Sequence, residues 1–266
     1  MVTIGTPSLL VADTAGVRTV ALNRPERRNA LSLALMRELL DVLAATAADT
    51  SIHVVVLRGE GPAFCAGHDL SEMVGCALDD YRELFDVCSE LMLAIHRLPQ
   101  PVIARVHGIA TAAGCQLVAA CDLAVADERA RFATPGVRIG LFCSTPMVEV
   151  SRAVGRKQAM ELLLTGDPID AATAAQWGLV NRAVPAEELD AAVEELAARV
   201  MRGSSRTIEI GKRAFYEQLD VPIADAYAHA KEVMARNAAE HDAQEGISAF
   251  LGKREPTWQG RTEGDA

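Results

Sequence analysis

Short β-rich runs alternate with segments of helical periodicity from the N-terminus to Pro146, and beyond it the pattern becomes almost wholly helical. The β-rich runs cover residues 8–13, 17–22, 53–58, 101–106 and 123–126. One helical segment begins near Leu31, and two others cover residues 80–98 and 113–120. Because strands that are separated by helices usually pair in parallel, this order predicts an α/β fold of repeated β-β-α or β-α units.

Turn and breaker residues divide the chain further. Gly16 lies between the first two β-rich runs, which predicts a hairpin, and Pro185 precedes a clear helix over residues 189–200. We place a soft boundary near residue 200, with a core over residues 1–200 and a helical region over residues 201–266. The polar tail, residues 259–266, is expected to fray.

The composition is that of a globular protein. Half of the 266 residues are apolar and 23% are charged, so the chain can bury a substantial core. The net charge of −10 opposes non-specific attraction to nucleic acids and to anionic membranes, although a local basic patch over residues 24–28 stays open. No apolar run reaches the length of a bilayer span. The sequence therefore predicts neither a nucleic-acid nor a membrane partner.

The cysteine pattern predicts free, largely buried thiols, because no C-x-x-C pair occurs. The six are Cys65, Cys76, Cys88, Cys115, Cys121 and Cys143. We predict no metal site and a reducing compartment. The first seven residues lack a basic stretch leading into an apolar one, so the expected location is cytoplasmic.

Two segments rich in small residues are candidates for chemistry. Ala66 and Gly67 end an apolar stretch and let a ligand approach the backbone, which exposes the amide of His68. The segment 108–113 leads directly into a helix, so the amide of Ala113 lies at a helix N-terminus. Two converging amides polarise a carbonyl and stabilise an enolate. The alternative is that both segments are only tight turns between strands and helices.

These segments, together with residues 22–31, resemble the enoyl-CoA hydratase/isomerase, or crotonase, superfamily, and the resemblance covers nearly the whole chain. Further matching segments are residues 119–126, 152–169, 174–181 and 246–254. A closer likeness is to the group called enoyl-CoA hydratase domain-containing protein 3, through residues 65–70, 112–118 and 132–146.

The resemblance implies a crotonase (ClpP-like) spiral of β-β-α turns, with a C-terminal helical region that assembles homotrimers or dimers of trimers, which are homohexamers. It also implies an acyl-CoA ligand whose thioester oxygen meets the amides of His68 and Ala113. The pantetheine would pass Ala66, which precedes His68, and the residues that follow it, Asp69, Leu70 and Ser71. Adenine contacts would come from near Arg24 and from Lys253 of a neighbouring subunit, although Lys253 could equally be a solvated helix end. No cofactor is implied beyond the CoA thioester as substrate or ligand.

The chain departs from the family where hydratases carry two glutamates that activate water. The first position is Gln116, which can hydrogen-bond water but cannot take its proton, and the second is Gly136, which has no side chain. Candidate substitutes are Asp69, Ser144 and Glu149. Ser144 falls near a position where some family members place a catalytic aspartate. The side chains of His68 and Asp69 could also act, or could only shape the turn.

The resemblance therefore implies a lyase or isomerase of fatty-acid and lipid metabolism. We expect its oxyanion hole to stabilise a thioester enolate in a reaction other than standard two-glutamate hydration, or in hydration at a low rate. The alternative is a non-catalytic acyl-CoA-binding or assembly protein. The sequence lacks a G-x-G-x-x-G motif after a strand, a P-loop and a G-x-S-x-G elbow, which argues against a dinucleotide oxidoreductase, a P-loop nucleotidase and a serine hydrolase.

Overall fold

The computed structural model describes residues 7–262. The sequence-based statements on residues 1–6, and on residues 263–266 of the tail, lie outside the described residues. The helices of the described part are α1 Leu33–Ala48, α2 Leu78–Arg97, α3 Ala113–Ala120, α4 Pro146–Ala153, α5 Arg156–Thr165, α6 Ala171–Trp177, α7 Leu189–Val200, α8 Ser205–Gln218, α9 Ile223–Ala239 and α10 His241–Leu251. The strands are β1 Leu9–Thr14, β2 Val17–Leu22, β3 Val54–Gly59, β4 Val102–Val106, β5 Ile109–Thr111, β6 Leu123–Asp127, β7 Arg131–Ala133, β8 Ile169–Asp170 and β9 Arg182–Val184.

The strands form two sheets, and the α/β class expected from the sequence is confirmed. The larger sheet has six strands in the order β1-β2-β3-β4-β6-β9, with β1 and β2 antiparallel and every other pair parallel. The smaller sheet has the order β5-β7-β8. Parallel pairs need crossover connections, and the helices between successive strands supply them.

The larger sheet is covered on both faces, which explains why its central strand is an unbroken valine-rich run. In β3, Val55 and Leu57 belong to the main apolar core with α1, α2 and α3. Val54 and Val56 belong to a second cluster on the other face, where they meet Val193 of α7. A strand that is buried on both sides cannot alternate apolar and polar residues.

The geometry of one turn and one helix cap tests two predictions, the β1–β2 hairpin and the start of the first helix. The hairpin between β1 and β2 is confirmed, with Ala15 and Gly16 both at positive φ as a two-residue hairpin loop requires. Helix α1 begins at Leu33 rather than near Leu31, because the Ser32 hydroxyl accepts a hydrogen bond from the amide of Leu35 and caps the helix. Leu31 is thereby left outside the helix.

The region beyond Pro146 is less uniformly helical than the sequence predicts. Strands β8 and β9 lie within it, and β9 forms the edge of the larger sheet beside β6. Strands β5 and β7 were also missed. All four have only two or three residues, which is too short for an alternating pattern to appear.

The C-terminal helices are attached to the core by a buried polar cluster, defined here as the Asp122 cluster. Lys212 of α8 donates to a carboxylate oxygen of Asp122 at 2.7 Å and to the carbonyls of Ile95 and Gln100 at 2.8 and 3.0 Å. The other Asp122 oxygen accepts from the Tyr216 hydroxyl at 2.9 Å. The predicted boundary near residue 200 falls between α7 and α8, and an oligomerising role for the region stays a prediction.

The described part of the tail does not fray as expected. The amides of Gln259 and Gly260 donate to the two carboxylate oxygens of Asp242, at 2.8 and 2.9 Å. The amide of Arg261 donates to the Ser205 hydroxyl at 3.0 Å. A polar sequence indicates solvent exposure, but it does not reveal these acceptors on α8 and α10.

No helix within residues 7–262 is long and apolar enough to cross a membrane.

Candidate functional site

A cavity of about 460 Å³ lies where the turn after β3, the start of α3 and the segment before α4 meet. Its wall is mostly apolar. It is lined by Ala66, His68, Leu70, Met73, Phe85, Ala112, Ala113, Pro135, Gly136, Arg138, Ile139, Leu141, Phe142, Cys143, Ser144, Thr145 and Pro146. The two backbone amides expected from the sequence therefore belong to one cavity, which we call the acyl cavity.

The turn that carries His68 is held from one side by Leu31. The Leu31 amide donates to the Gly67 carbonyl at 2.7 Å, and the Asp69 amide donates to the Leu31 carbonyl at 3.0 Å. In this parallel bridge the amide of His68 itself faces away from Leu31. The displacement of Leu31 from α1 is thus what supports the turn.

Gly67 lets this turn come close to the start of α3. Its φ is +92°, and a Cβ added there would lie 2.8 Å from the Cβ of Ala112 and 3.4 Å from the amide nitrogen of Ala113. Only glycine accommodates both the backbone conformation and the contact. The His68 and Ala113 segments are therefore adjacent because position 67 has no side chain.

The orientation of the Ala113 amide follows from the unusual backbone conformation of Ala112. Ala113 is the first residue of α3, so the helix supplies no acceptor for its N–H. Ala112 has φ +50° and ψ −119°, a conformation that costs a non-glycine residue about 1–3 kcal/mol. Within residues 7–262, no protein acceptor takes a hydrogen bond from the His68 or Ala113 amide. Two amides with spare donors at one cavity can polarise a carbonyl oxygen.

The His68 ring also lines the acyl cavity. It lies edge-on to Phe85, with ring centroids 5.6 Å apart. Neither ring nitrogen has a hydrogen bond of normal geometry to any part of the chain that the structure describes. Burial lowers the pKa of His68 to about 4, and the smaller opposing effect of the Leu31 carbonyl does not cancel this shift. The ring is therefore neutral at pH 7.

Asp69, for which the sequence left a side-chain role open, is not among the residues that line the cavity. Its carboxylate pairs with Arg24 at 2.9 Å and accepts from the Ser71 hydroxyl at 2.6 Å. These hydrogen bonds, first from Ser71 and then from Arg24, lower the pKa of Asp69 despite its burial. Arg24 also donates to the Ala30 carbonyl at 2.7 Å. These hydrogen bonds stabilise the turn that carries His68.

The other two candidate substitutes are separated by the fold. Glu149 lies outside the acyl cavity, 3.4 Å from the ring of His96, and borders a different cavity of about 560 Å³ beneath α8. Ser144 does line the acyl cavity, where its exposed hydroxyl donates to the Phe142 carbonyl at 3.4 Å. Within the described residues the Ser144 hydroxyl has no hydrogen bond to a basic side chain that would activate it.

The two positions of the missing glutamates differ in their relation to the cavity. Gly136 lines it, and a Cβ there would lie 2.0 Å from the Leu141 carbonyl oxygen and 2.8 Å from the Cys143 sulfur. Gln116 is buried beyond the cavity wall, where the Cys88 thiol donates to its side-chain oxygen at 3.9 Å. The acyl cavity therefore has no carboxylate among the residues that line it.

Lys253 and the cysteines complete the predicted residues. Lys253 is exposed just beyond the end of α10. All six cysteines are free and five are buried, as predicted, while Cys76 is half-buried. Burial raises the pKa of the Cys143 thiol. No group of three or more metal-ligating side chains occurs within residues 7–262.

Sequence reasoning missed the rim of the acyl cavity. Met73, Arg138, Ile139 and Leu141 also line the cavity. Ile139 and Leu141 are exposed, as are Leu70 and Phe142. The available signal was the concentration of apolar residues in the segment 137–142, because an exposed segment has no packing reason to keep them.

Comparisons with known proteins agree on one family. A family model described as enoyl-CoA hydratase/isomerase matches residues 12–261. The mitochondrial enoyl-CoA hydratase domain-containing protein 3 of Rattus norvegicus is 46% identical over 244 residues, which are 91% of this chain and 81% of the rat protein. The crystal structure of an enoyl-CoA hydratase from Mycobacterium smegmatis has a TM-score of 0.93 and 50% identity, covering 95% of this chain and 99% of that one. The structure of human enoyl-CoA hydratase domain-containing protein 3 has a TM-score of 0.92 and 43% identity, over 95% and 100% of the two chains. The crotonase fold and the likeness to that group, both expected from the sequence, are confirmed.

The expected cytoplasmic location is contradicted by the same relatives. The rat, mouse, Xenopus and human proteins of this group are all named mitochondrial. The prediction rested on free thiols and on the composition of the N-terminus. Free thiols indicate a reducing environment, which more than one compartment provides, so they could not select the cytoplasm.

Proposed function

The chain belongs to the enoyl-CoA hydratase/isomerase family, and we propose that it binds acyl-CoA thioesters with the carbonyl oxygen between the amides of His68 and Ala113. The observation that carries this proposal is the pair of unpartnered amides in one apolar cavity. An acyl chain would fill the cavity, while the carbonyl would accept two hydrogen bonds that no protein group takes. Proteins of this family bind CoA thioesters.

The remainder of the ligand would follow the His68 turn. Ala66 and Leu70 line the cavity on either side of His68, so the pantetheine would leave along them. Asp69, Ser71 and Arg24 would support this path through their hydrogen bonds to one another. Lys253 would contact the CoA of a neighbouring subunit. CoA enters as part of the substrate or ligand, and no other cofactor is proposed.

The reaction we propose proceeds through a thioester enolate and does not use two carboxylates to activate water. Hydrogen bonds from both amides strengthen as negative charge develops on the carbonyl oxygen, which stabilises the enolate. General acid–base groups contribute about 10²–10⁴-fold to such reactions. Since the residues lining the cavity include no carboxylate, hydration by the two-glutamate route would lose that factor.

A non-catalytic acyl-CoA-binding or assembly protein is the second candidate. The observation that favours it is again the missing carboxylate pair, since Gln116 and Gly136 leave no acidic side chain at the cavity. The two candidates share the binding step and differ only in turnover. A protein that binds several thioesters tightly and converts none of them would support this second candidate.

A matched pair of ligands tests the binding proposal. Butyryl-CoA has the thioester carbonyl, whereas its thioether analogue S-butyl-CoA has a methylene group in its place. Isothermal titration calorimetry should show tighter binding of butyryl-CoA, by about 10-fold or more, because two hydrogen bonds to the carbonyl are lost in the analogue. Equal affinity for the two ligands would contradict the proposed oxyanion hole.

We also propose that the chain assembles as a homotrimer or a dimer of trimers, since proteins of this family typically form trimers. Helix α9 has no buried residue, and it exposes Ile223, Tyr227 and Met234. Phe250 of α10 is 83% exposed. Large exposed apolar side chains concentrated in α9 and α10 support a subunit interface there. Sedimentation equilibrium would measure the assembly, and a monomer at micromolar concentration would contradict it.

A further inference from the structure

One side-chain hydrogen bond joins the two segments whose amides meet at the acyl cavity. The hydroxyl of Thr111, the last residue of β5, donates to the carbonyl of Ala66 at 3.1 Å. In the part of the chain that the structure describes, no other side-chain hydrogen bond links residues 65–68 with residues 109–113. The backbone hydrogen bonds between the segments, to and from Cys65, need no particular side chain. Thr111 is therefore the residue whose side chain sets how the two segments meet.

The carbonyl of Ala66 depends on this hydroxyl. Ala66 is half-buried, and within residues 7–262 no group other than the Thr111 hydroxyl donates to its carbonyl. A carbonyl that loses its one protein partner in such a place is left unsatisfied or turns towards water. The peptide plane between Ala66 and Gly67 should therefore rotate when the hydroxyl is removed.

Gly67 transmits the orientation of that peptide plane to His68. Because Gly67 has no Cβ, hydrogen bonds must fix the peptide planes on either side of it. The plane that follows is fixed by the Leu31 amide, which donates to the Gly67 carbonyl at 2.7 Å and so directs the His68 N–H the opposite way. The plane that precedes is fixed by Thr111. Together the two hydrogen bonds hold the His68 amide in one orientation.

Thr111 also precedes the strained residue that orients the second amide. Ala112 has φ +50° and ψ −119°, and such a conformation persists only where the surrounding structure fixes it. Helix α3 follows Ala112 directly, and the Ala112 amide donates to the Ala133 carbonyl at 2.8 Å. The preceding residue is fixed by the hydrogen bond from the Thr111 hydroxyl to Ala66. One hydroxyl therefore restrains both of the segments that carry the amides.

We propose that Thr111 is a positioning residue of the acyl cavity, whose hydroxyl aligns the amides of His68 and Ala113 on one carbonyl oxygen. The inference rests on the binding mode proposed above. Thr111 is not among the residues that line the cavity, so it acts through Ala66 and Ala112 and not on the ligand. Removal of the hydroxyl should weaken the hydrogen bonds to the carbonyl and leave the contacts of the acyl chain and of CoA unchanged.

Two substitutions separate the hydroxyl from the shape of the side chain. Thr111→Val keeps the β-branch and the strand preference but removes the donor, whereas Thr111→Ser keeps the donor and removes the methyl group. Isothermal titration calorimetry on the whole protein gives the ratio of the dissociation constants of S-butyl-CoA and butyryl-CoA. The ratio should be about 10 or more in wild type and about 3 or less in Thr111→Val, and Thr111→Ser should stay within about twofold of wild type. S-butyl-CoA, which has no carbonyl, should bind all three proteins alike.

A spectroscopic readout and a matched control distinguish positioning from general stability. The infrared carbonyl stretching frequency of bound butyryl-CoA should rise towards its value in water in Thr111→Val and keep its wild-type value in Thr111→Ser. Thr46→Val is the control, because it removes a buried hydroxyl that donates to the Val42 carbonyl at 2.6 Å, and Thr46 does not line the cavity. It should lower stability without changing the ratio. If Thr111→Val does not fold, Thr111→Ala removes the hydroxyl without placing a methyl group against the Ala66 carbonyl.

The outcomes separate this inference from the binding mode on which it rests. A wild-type ratio that is kept in the folded variant without the hydroxyl would overturn the positioning role and leave the proposed binding intact. An equal loss in Thr111→Ser would also overturn it, because serine keeps the hydroxyl. A similar loss in Thr46→Val would mean that lowered stability is the cause and would overturn it as well. Equal affinity of the wild-type protein for the two ligands would overturn both the binding mode and the positioning role.

Discussion

The acyl cavity and the Asp122 cluster both contain buried polar groups, but the hydrogen bonding of these groups is opposite. In the Asp122 cluster every charged group is paired: one carboxylate oxygen accepts from Lys212 and from the Val102 amide, and the other accepts from Tyr216. In the acyl cavity the amides of His68 and Ala113 and the His68 ring have no protein partner of normal geometry. A saturated cluster holds elements together, whereas an unsaturated one at a cavity is suited to a ligand.

The largest effect is expected when the saturated cluster is broken. Lys212→Met removes the cation and leaves Asp122 buried without it, which should lower the free energy of unfolding by about 3–5 kcal/mol. Urea denaturation measures this change. Under native conditions the thioester affinity of the folded fraction should be unchanged, because Lys212 does not line the acyl cavity. Arg236→Met, which removes an exposed ion pair with Glu232, is the matched control and should barely alter stability.

A change of pH should expose the cost of the buried His68 ring. Its pKa is about 4 in the folded protein and near 6.5 when exposed, so the unfolded chain takes the proton first as the pH falls. Stability that is present above pH 6.5 is therefore lost as the pH falls towards 4, by roughly 3 kcal/mol at most. The measurement is the difference in unfolding free energy between wild type and His68→Gln. A difference that is constant from pH 7 to pH 4 would contradict a desolvated ring.

A side chain at position 67 should displace the amides of His68 and Ala113, so that they can no longer both donate to a ligand. In Gly67→Ala the new Cβ would approach the Ala113 nitrogen at 3.4 Å, so we expect turnover of a thioester to fall by about 10²-fold. Gly75→Ala is the matched control, since Gly75 also has a positive φ, of +75°, but has nothing within 4 Å of an added Cβ. Similar losses of activity in both variants would mean that backbone strain, and not the oxyanion hole, is responsible.

Restoring the two carboxylates should not create a hydratase. Gly136→Glu would bring its Cβ to 2.0 Å from the Leu141 carbonyl oxygen, and Gln116→Glu would place a charge behind the cavity wall beside Cys88. The double variant should lose about 1–3 kcal/mol of stability from overpacking alone and gain no hydration of crotonyl-CoA. Denaturation and a spectrophotometric hydration assay measure the two effects. A hydration rate that rises tenfold or more would show that the loop adapts to the new side chains.

Features of the site that depend on neighbouring residues in the chain could be predicted from the sequence, whereas those that depend on distant residues could not. The positions of the two amides depend on local features, namely the small residues 66–67 and the start of α3, which the structure has at Ala113 as the sequence indicates. That these amides bind a carbonyl stays a prediction. The carboxylates of Asp69 and Glu149 contact Arg24 and His96, which are 45 and 53 positions away in the chain. No local pattern contains such partners. The same limit applies to the tail, whose acceptors lie on α8 and α10.

The infrared absorption of the bound carbonyl reports directly on whether the amides of His68 and Ala113 donate to its oxygen. Butyryl-CoA with and without ¹³C at the carbonyl, bound to the wild-type protein, gives an isotope difference spectrum of that one bond. If the amides of His68 and Ala113 both donate to the oxygen, the stretching frequency should lie below its value in water and return towards it in Gly67→Ala. A frequency above the value in water would mean an unbonded carbonyl in an apolar cavity and would contradict the account.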